Sequence, residues 1–228
     1  MKKIILICFV VSQVFLACKK SDSTQPAPIV TTKYMSSSAN STWNYDLVTN
    51  ATTAPVSNPY KITSSNTDTT INGKVYHVFT NNTDGSKEYY NITGNDYYTY
   101  KSLPPELGGS KVENLYLKDN AVAGNQWSQS YPVTVSGFPI TVTLTNTIQE
   151  RDLTKVVNAI SYTNVIHVTT TIAITGAPFP VTLTNNIQNY YAPKVGLIEN
   201  DTQISFTITG FPPSNTDQQT ILKASNIL

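Results

Sequence analysis

Apolar and polar residues alternate with a period of two over most of this chain, starting at Trp43. Trp43, Tyr45 and Leu47 alternate with Asn44, Asp46 and Val48, which predicts a half-buried strand. No window of similar length carries the i, i+3, i+4, i+7 spacing of an amphipathic helix. Thr, Val, Ile and Tyr dominate, and all four favour strands. The chain is therefore expected to be all-β and antiparallel: a single curved sheet, half-barrel or barrel-like, built from meander hairpins.

Turn residues set the expected register between positions 60 and 103. Asn72-Gly73 is a type I′ hairpin signal, Asp84-Gly85 a second, and Gly94-Asn95 fits a type II′ turn. With two-residue loops, strands 60–71, 74–83, 86–93 and 96–103 form one meander. The expected pairs are Thr70 with Val75, Asp68 with His77, Phe79 with Tyr90, His77 with Ile92, and Ile92 with Tyr97. One face then holds Val75, His77, Phe79, Tyr90, Ile92 and Tyr97. The other holds Tyr76, Val78, Tyr89, Asn91, Tyr98 and Tyr100. Both faces are apolar, where a sheet with one face in water alternates more cleanly, so the second face, with Tyr76, Tyr89, Tyr98 and Tyr100, is expected to be covered too or to line a cavity.

The second half contains an internal repeat. VTVSGFPITVTLTNTIQ at 133–149 matches IAITGAPFPVTLTNNIQ at 172–188, and ITGFP at 208–212 is a third partial copy. Each copy reads as strand, Gly-Pro turn, strand. Duplicated hairpins in one long sheet explain this. The functional alternative gathers the three Gly-Pro loops on one rim, tipped by Phe138, Phe179 and Phe211. Residues 203–209 and 219–225 read as the last two strands.

The first 17 residues have another character. Lys2 and Lys3 precede an apolar run from Ile4 to Phe15, and Leu16-Ala17-Cys18 follows. This is the pattern of a cleaved secretory signal. Cys18 after a small residue resembles the lipobox of bacterial lipoproteins, which implies lipidation of its sulfur. Residues 18–34 contain Pro26 and Pro28 without apolar periodicity and read as a flexible tether, leaving 35–228 as a single β domain. Cys8 leaves with the signal, so no disulfide or thiolate metal site is available to the mature chain.

Charge adds an exclusion. Loss of Lys2 and Lys3 takes Lys+Arg from 15 to 13 against 14 acidic residues. A nucleic-acid partner needs clustered cations and is not expected. The sequence points to no cofactor and no metal. The two histidines, His77 and His167, lack metal-ligand spacing. His77 opposite Asp68 could form a general base with its orienter, but no G-x-S-x-G nucleophile motif accompanies it. Glu150, Arg151 and Asp152 read as a solvated turn, and no catalytic residue is assigned.

Tyrosine is the remaining enrichment, with 14 in the chain. Rings with an apolar body and polar tip suit ligand surfaces as well as cross-strand pairs. Tyr76, Tyr89, Tyr98 and Tyr100 are the candidate binding residues on the meander, beside Phe138, Phe179 and Phe211 on the loops.

Several segments together resemble a group of Bacteroidetes lipoproteins with no assigned reaction. They are the signal ending FLACKK, NSTWNYDL at 40–47, GNQW at 124–127, YTNVIHV at 162–168 and YYAPKVGLIEND at 190–201. The resemblance implies a curved antiparallel sheet or half-barrel in the cell envelope and supplies no catalytic residues. Only Asp22 follows the lipid cysteine closely, so the periplasmic side of the outer membrane is expected over the cell surface. The leading expectation is a lipid-anchored, non-catalytic binding or structural protein with a hydrophobic or glycan-like ligand. The alternatives are an interaction module acting through the Gly-Pro loops and a hydrolase using His77 or scattered carboxylates.

Overall fold

The computed structural model describes residues 32–228 except 104–106, 108, 136, 179 and 210–212, and leaves the Ile208 side chain undescribed. Cys18, Phe179 and Phe211 lie outside the described residues. Thr32–Leu228 form one compact unit.

The unit is all-β. Its strands are β1 (Thr42–Thr49), β2 (Val56–Ile71), β3 (Lys74–Asn81), β4 (Lys87–Thr93), β5 (Asp96–Ser102), β6 (Lys111–Lys118), β7 (Gln126–Val135), β8 (Phe138–Val157), β9 (Ile160–Thr175), β10 (Val181–Ala192), β11 (Gly196–Ile208) and β12 (Ser214–Asn226). They form one 12-stranded antiparallel sheet in the order β6-β5-β4-β3-β2-β1-β12-β11-β10-β9-β8-β7. Every neighbour in that order is also a neighbour in the chain, except that β12 returns to pair with β1. The sheet curls into a nearly closed up-and-down barrel whose two edges, β6 and β7, meet at a seam.

The meander forms as its turn residues dictate. Asn72 and Gly73 both take positive φ, 51° and 80°, as a type I′ turn requires. Thr70 faces Val75, Asp68 faces His77 and Ile92 faces Tyr97, as expected. The β3–β4 hairpin departs: Phe79 faces Glu88 and His77 faces Tyr90. Here the turn is not the two residues Asp84-Gly85. Asn81 accepts from Gly85 N–H at 2.8 Å and donates its own N–H to Ser86, which lengthens the loop. The resulting slip is by two residues, so each side chain stays on its expected face.

Curvature decides which face is inside. His77, Phe79, Tyr90, Ile92 and Tyr97 share the inner face with Trp43 and Tyr45. Phe79 packs on Trp43 at 5.5 Å and on Tyr90 at 5.1 Å between ring centres. One inner cluster is built on Trp43, Tyr45, Ile62, Phe79, Ile198 and Leu222. A second joins Val133, Val142, Leu144, Ile172 and Phe206 to Leu103 and Leu107 of the β5–β6 connection.

Alternate connections leave opposite ends of such a barrel. The segment before β1 and the β8–β9 hairpin occupy one end. Tyr34, counted with the tether on sequence, is 7% exposed. Its N–H donates to the Tyr97 hydroxyl at 2.9 Å and its hydroxyl to the Asn164 carbonyl at 2.8 Å. Register shifts between Ile148 and Lys155 bend the β8–β9 hairpin. Its Val157 and Val165 join the Trp43 cluster, and Asn158 Nδ2 donates to the Lys223 carbonyl at 3.0 Å. The opposite end carries the β7–β8 and β9–β10 connections, with the first two Gly-Pro copies, and the β11–β12 connection. The repeat is thus two successive hairpins of one sheet. Among the described residues no helix is long and apolar enough to cross a membrane.

Candidate functional site

The barrel is not filled. A cavity of 370 Å³ lies inside it, lined by side chains from β1–β6 and β8–β12. That volume is near the lower end of the roughly 300–1,000 Å³ usual for small-molecule sites. Alternation along each strand builds its wall, because every second residue of a half-buried strand points to the lumen.

The lining has three parts. An aromatic wall comes from Trp43, Tyr45, Tyr60, Phe79, Tyr90 and Tyr116, with Tyr191 across from them in the sheet order. An apolar wall comes from Leu103, Leu107, Leu144, Ile172, Ile187 and Ile204. Between them stand polar groups, among them Thr99, Asn114, Asn189 and Asn200, and two ionisable ones, Glu88 and Lys101.

Glu88 and Lys101 reach the lumen because they keep the parity of Phe79 and Tyr97. Glu88 sits opposite Phe79, and Lys101 is four residues beyond Tyr97 on β5. The Tyr90 hydroxyl donates to Glu88 Oε2 at 2.7 Å. Burial raises the Glu88 pKa, while the Tyr90 bond and the charge of Lys101 oppose the rise. The Lys101 pKa is lowered by burial, against the attraction of Glu88. Lys101 lines the cavity with an exposed side chain. No contact within 4.0 Å joins it to Glu88, and it has no hydrogen-bond partner among the described residues.

The tyrosine hydroxyls remain protonated donors, since burial raises the pKa of Tyr45, Tyr60, Tyr90, Tyr116 and Tyr191. Tyr45 donates to the Leu197 carbonyl at 2.8 Å. The Tyr191 hydroxyl has no hydrogen-bond partner among the described residues. Asn114 Oδ1, on the cavity wall, is buried and also unpartnered among them. A buried acceptor left unpaired costs about 1–3 kcal/mol.

Of the residues singled out on sequence, Tyr76, Tyr89, Tyr98 and Tyr100 share the opposite, outer face, and none lines the cavity. They form a patch of their own. Tyr76 is 1% exposed, packs its ring on Tyr100 and bonds its hydroxyl to Glu113. Glu113 pairs with Lys74 at 2.9 Å, and the Lys74 ammonium sits 3.4 Å over the Tyr98 ring. This is a closed cross-strand arrangement with its charges already matched. Phe138, the first residue of β8, is 37% exposed.

The sequence reasoning did not single out Glu88 and Lys101. Their signal was available: each falls on the apolar parity of its strand, where a surface charge does not belong.

The His77–Asp68 pair forms as expected, with Nδ1 and Oδ1 2.7 Å apart. A third residue completes a row: Ser64 Oγ lies 2.8 Å from His77 Nε2. The order Ser-His-Asp has triad spacing, yet its surroundings do not suit a nucleophile. Ser64 is fully buried, and its hydroxyl also donates to the Ser37 carbonyl at 3.2 Å. Its backbone N–H and C=O are bonded to Ser41 and Asn40. None of the three lines the cavity. The row fastens the segment before β1 to the β2 bulge.

His167 is likewise held, stacked on Tyr190 at 4.3 Å and 2.6 Å from Gln188 Oε1. Glu150, Arg151 and Asp152 lie within β8 at its register shifts, where Asp152 takes φ 55° and Arg151 bonds the Ala121 carbonyl. Among the described residues no group of three or more His, Cys, Asp or Glu could hold a metal.

No protein-family profile matches the chain, and no curated protein matches it. Among solved structures the chain is similar to a "putative lipoprotein from Parabacteroides distasonis" at 12% identity. The match covers 86% of this chain and 99% of that chain, with a TM-score of 0.49. A likeness of that degree carries no argument about the site.

Proposed function

We propose that this chain is a lipid-anchored envelope protein, tethered through Cys18, that binds a small amphipathic molecule inside its barrel and does not transform it. The observation that carries the reading is the 370 Å³ lumen with aromatic and apolar walls and two ionisable residues on its lining. A sheet folded for stability alone would fill that space, since interiors pack to near-crystalline density. The envelope location rests on the signal and lipobox pattern of residues 2–18. The non-catalytic part is supported by the burial of Ser64 and its separation from the lumen.

The test uses the neutral fluorophore N-phenyl-1-naphthylamine with the purified full chain in mild detergent. The wild type is expected to bind it and brighten its emission, and Thr202→Trp, which puts an indole into the lumen, is expected to block it. Absence of binding to the wild type, or equal binding to a folded Thr202→Trp variant, would contradict the proposal.

A further inference from the structure

We infer that the ligand of the barrel carries a carboxylate, or an anion of similar size, which pairs with the Lys101 ammonium while its hydrocarbon body lies against the apolar wall. The inference rests on the binding reading above and narrows its ligand class.

Lys101 lines the cavity with an exposed side chain, and its charge is attracted by Glu88 without a direct bond to it. Lys101 shares the lumen with one carboxylate, and the two make no contact within 4.0 Å. Glu88 is instead engaged by the Tyr90 hydroxyl at 2.7 Å. Burial raises its pKa, against the Tyr90 bond and the Lys101 charge. The other lining groups that titrate are tyrosines, whose hydroxyls donate. The lumen therefore offers one unpaired cation, protonated donors and no contact pair to break on entry.

The apolar wall supplies the second half of the specificity. Leu103, Leu107, Leu144, Ile172, Ile187 and Ile204 present aliphatic surface without a hydrogen-bonding side-chain atom. An unbranched chain gains by burial there in proportion to its area. A sugar, by contrast, would leave hydroxyls unpaired on that side. A single charge at one place and a continuous apolar surface fit a fatty-acid-like molecule.

The experiment compares dodecanoate with dodecan-1-ol, which share a hydrocarbon chain and differ at the head, by calorimetric titration of the full chain. Dodecanoate is expected to bind roughly ten- to a hundredfold more tightly, the range of a hydrogen bond to a charged group. Lys101→Met is expected to abolish that preference while still binding dodecan-1-ol, and Lys101→Arg to keep it. Should the Met variant not fold, Lys101→Gln takes its place. Equal affinities in the wild type, or a preference that survives loss of the charge, would overturn the carboxylate and leave the cavity reading standing. Binding of neither probe would overturn both.

Discussion

The indole N–H of Trp127 donates to the backbone carbonyl of Leu115 at 2.7 Å, across the one junction of the barrel that has no ladder. The same peptide neighbourhood collects three more bonds. Gln129 Oε1 accepts the Leu115 N–H at 2.5 Å, Asn146 Nδ2 donates to the Leu115 carbonyl at 3.0 Å, and Tyr131 donates to the Glu113 carbonyl at 2.6 Å. Side chains of β7 and β8 thus satisfy the edge of β6 in place of a strand. Gln129→Leu leaves the Leu115 N–H unpaired and is expected to cost about 1–3 kcal/mol. Trp127→Phe leaves one acceptor bond at Leu115 and is expected to cost about 1 kcal/mol from hydrogen bonding. Urea denaturation midpoints measure both, and amide exchange at Leu115 should accelerate in Gln129→Leu.

The internal repeat gives this closure a second use. Asn185 occupies the position of Asn146 one repeat later. Where the β9–β10 ladder ends, its side-chain amide bonds both the N–H and the carbonyl of Ile172 at 3.0 Å. One duplicated asparagine therefore bridges two openings of the sheet. Asn185→Leu removes both bonds at once and is expected to cost about 2–6 kcal/mol if the two penalties add. The readout is the urea midpoint together with faster exchange of the Ile172 amide.

Much of this fold is legible in the sequence because its contacts are local. The pairs Thr70–Val75, Asp68–His77 and Ile92–Tyr97 each follow from a turn of known type. The longer loop at 81–86 escaped because Asn81 and Asp84 side chains cap the N–H groups of Thr83 and Ser86, which a Gly-based rule does not anticipate. Period two distinguishes the two faces of the meander but not inside from outside. That choice depends on Trp43 and Tyr45, which reach Val195 and Leu197 carbonyls about 150 residues away at 2.7 and 2.8 Å. Hence the tyrosines first weighed for binding, Tyr76, Tyr89, Tyr98 and Tyr100, share a face, but it is the outer one.

Glu88 links the lumen to pH. Burial raises its pKa in the folded protein, so the native state holds that proton more tightly than the unfolded chain does. Its contribution to stability is full below the unfolded carboxyl value of about 4.3 and is lost as pH rises through the raised folded value. Glu88→Gln removes this loss. The variant is expected to gain stability relative to wild type between pH 4 and pH 8, read as a widening gap in urea midpoints. A gap that narrows with pH would contradict the burial of Glu88.

Ser64 is expected to be inert. A fluorophosphonate probe should leave it unlabelled in the native chain, as mass spectrometry of the digested protein can show. Ser64→Ala should destabilise by about 1–3 kcal/mol, because it strips partners from His77 and the Ser37 carbonyl. Labelling at Ser64 would place the row Ser64–His77–Asp68 among catalytic sites.

Gly196 marks how tightly the segment before β1 is held. It takes φ 89°, and a Cβ there would stand 3.3 Å from the Tyr34 carbonyl oxygen. Gly196→Ala combines backbone strain with that contact and is expected to cost about 1–3 kcal/mol. The melting temperature reads the cost, and exchange of the Tyr34 amide, now bonded to Tyr97, should rise with it.

The most direct measurement separates the two faces of the sheet. Tyrosine rings labelled with carbon-13 are assigned by single Tyr→Phe variants, and dodecanoate is then titrated into the full chain while the ring resonances are followed. Tyr90, Tyr116 and Tyr191 of the lumen are expected to shift together with one affinity, and Tyr76, Tyr89, Tyr98 and Tyr100 to stay in place. Shifts confined to the outer four rings, or no shift at any tyrosine at saturating ligand, would contradict a binding site inside the barrel.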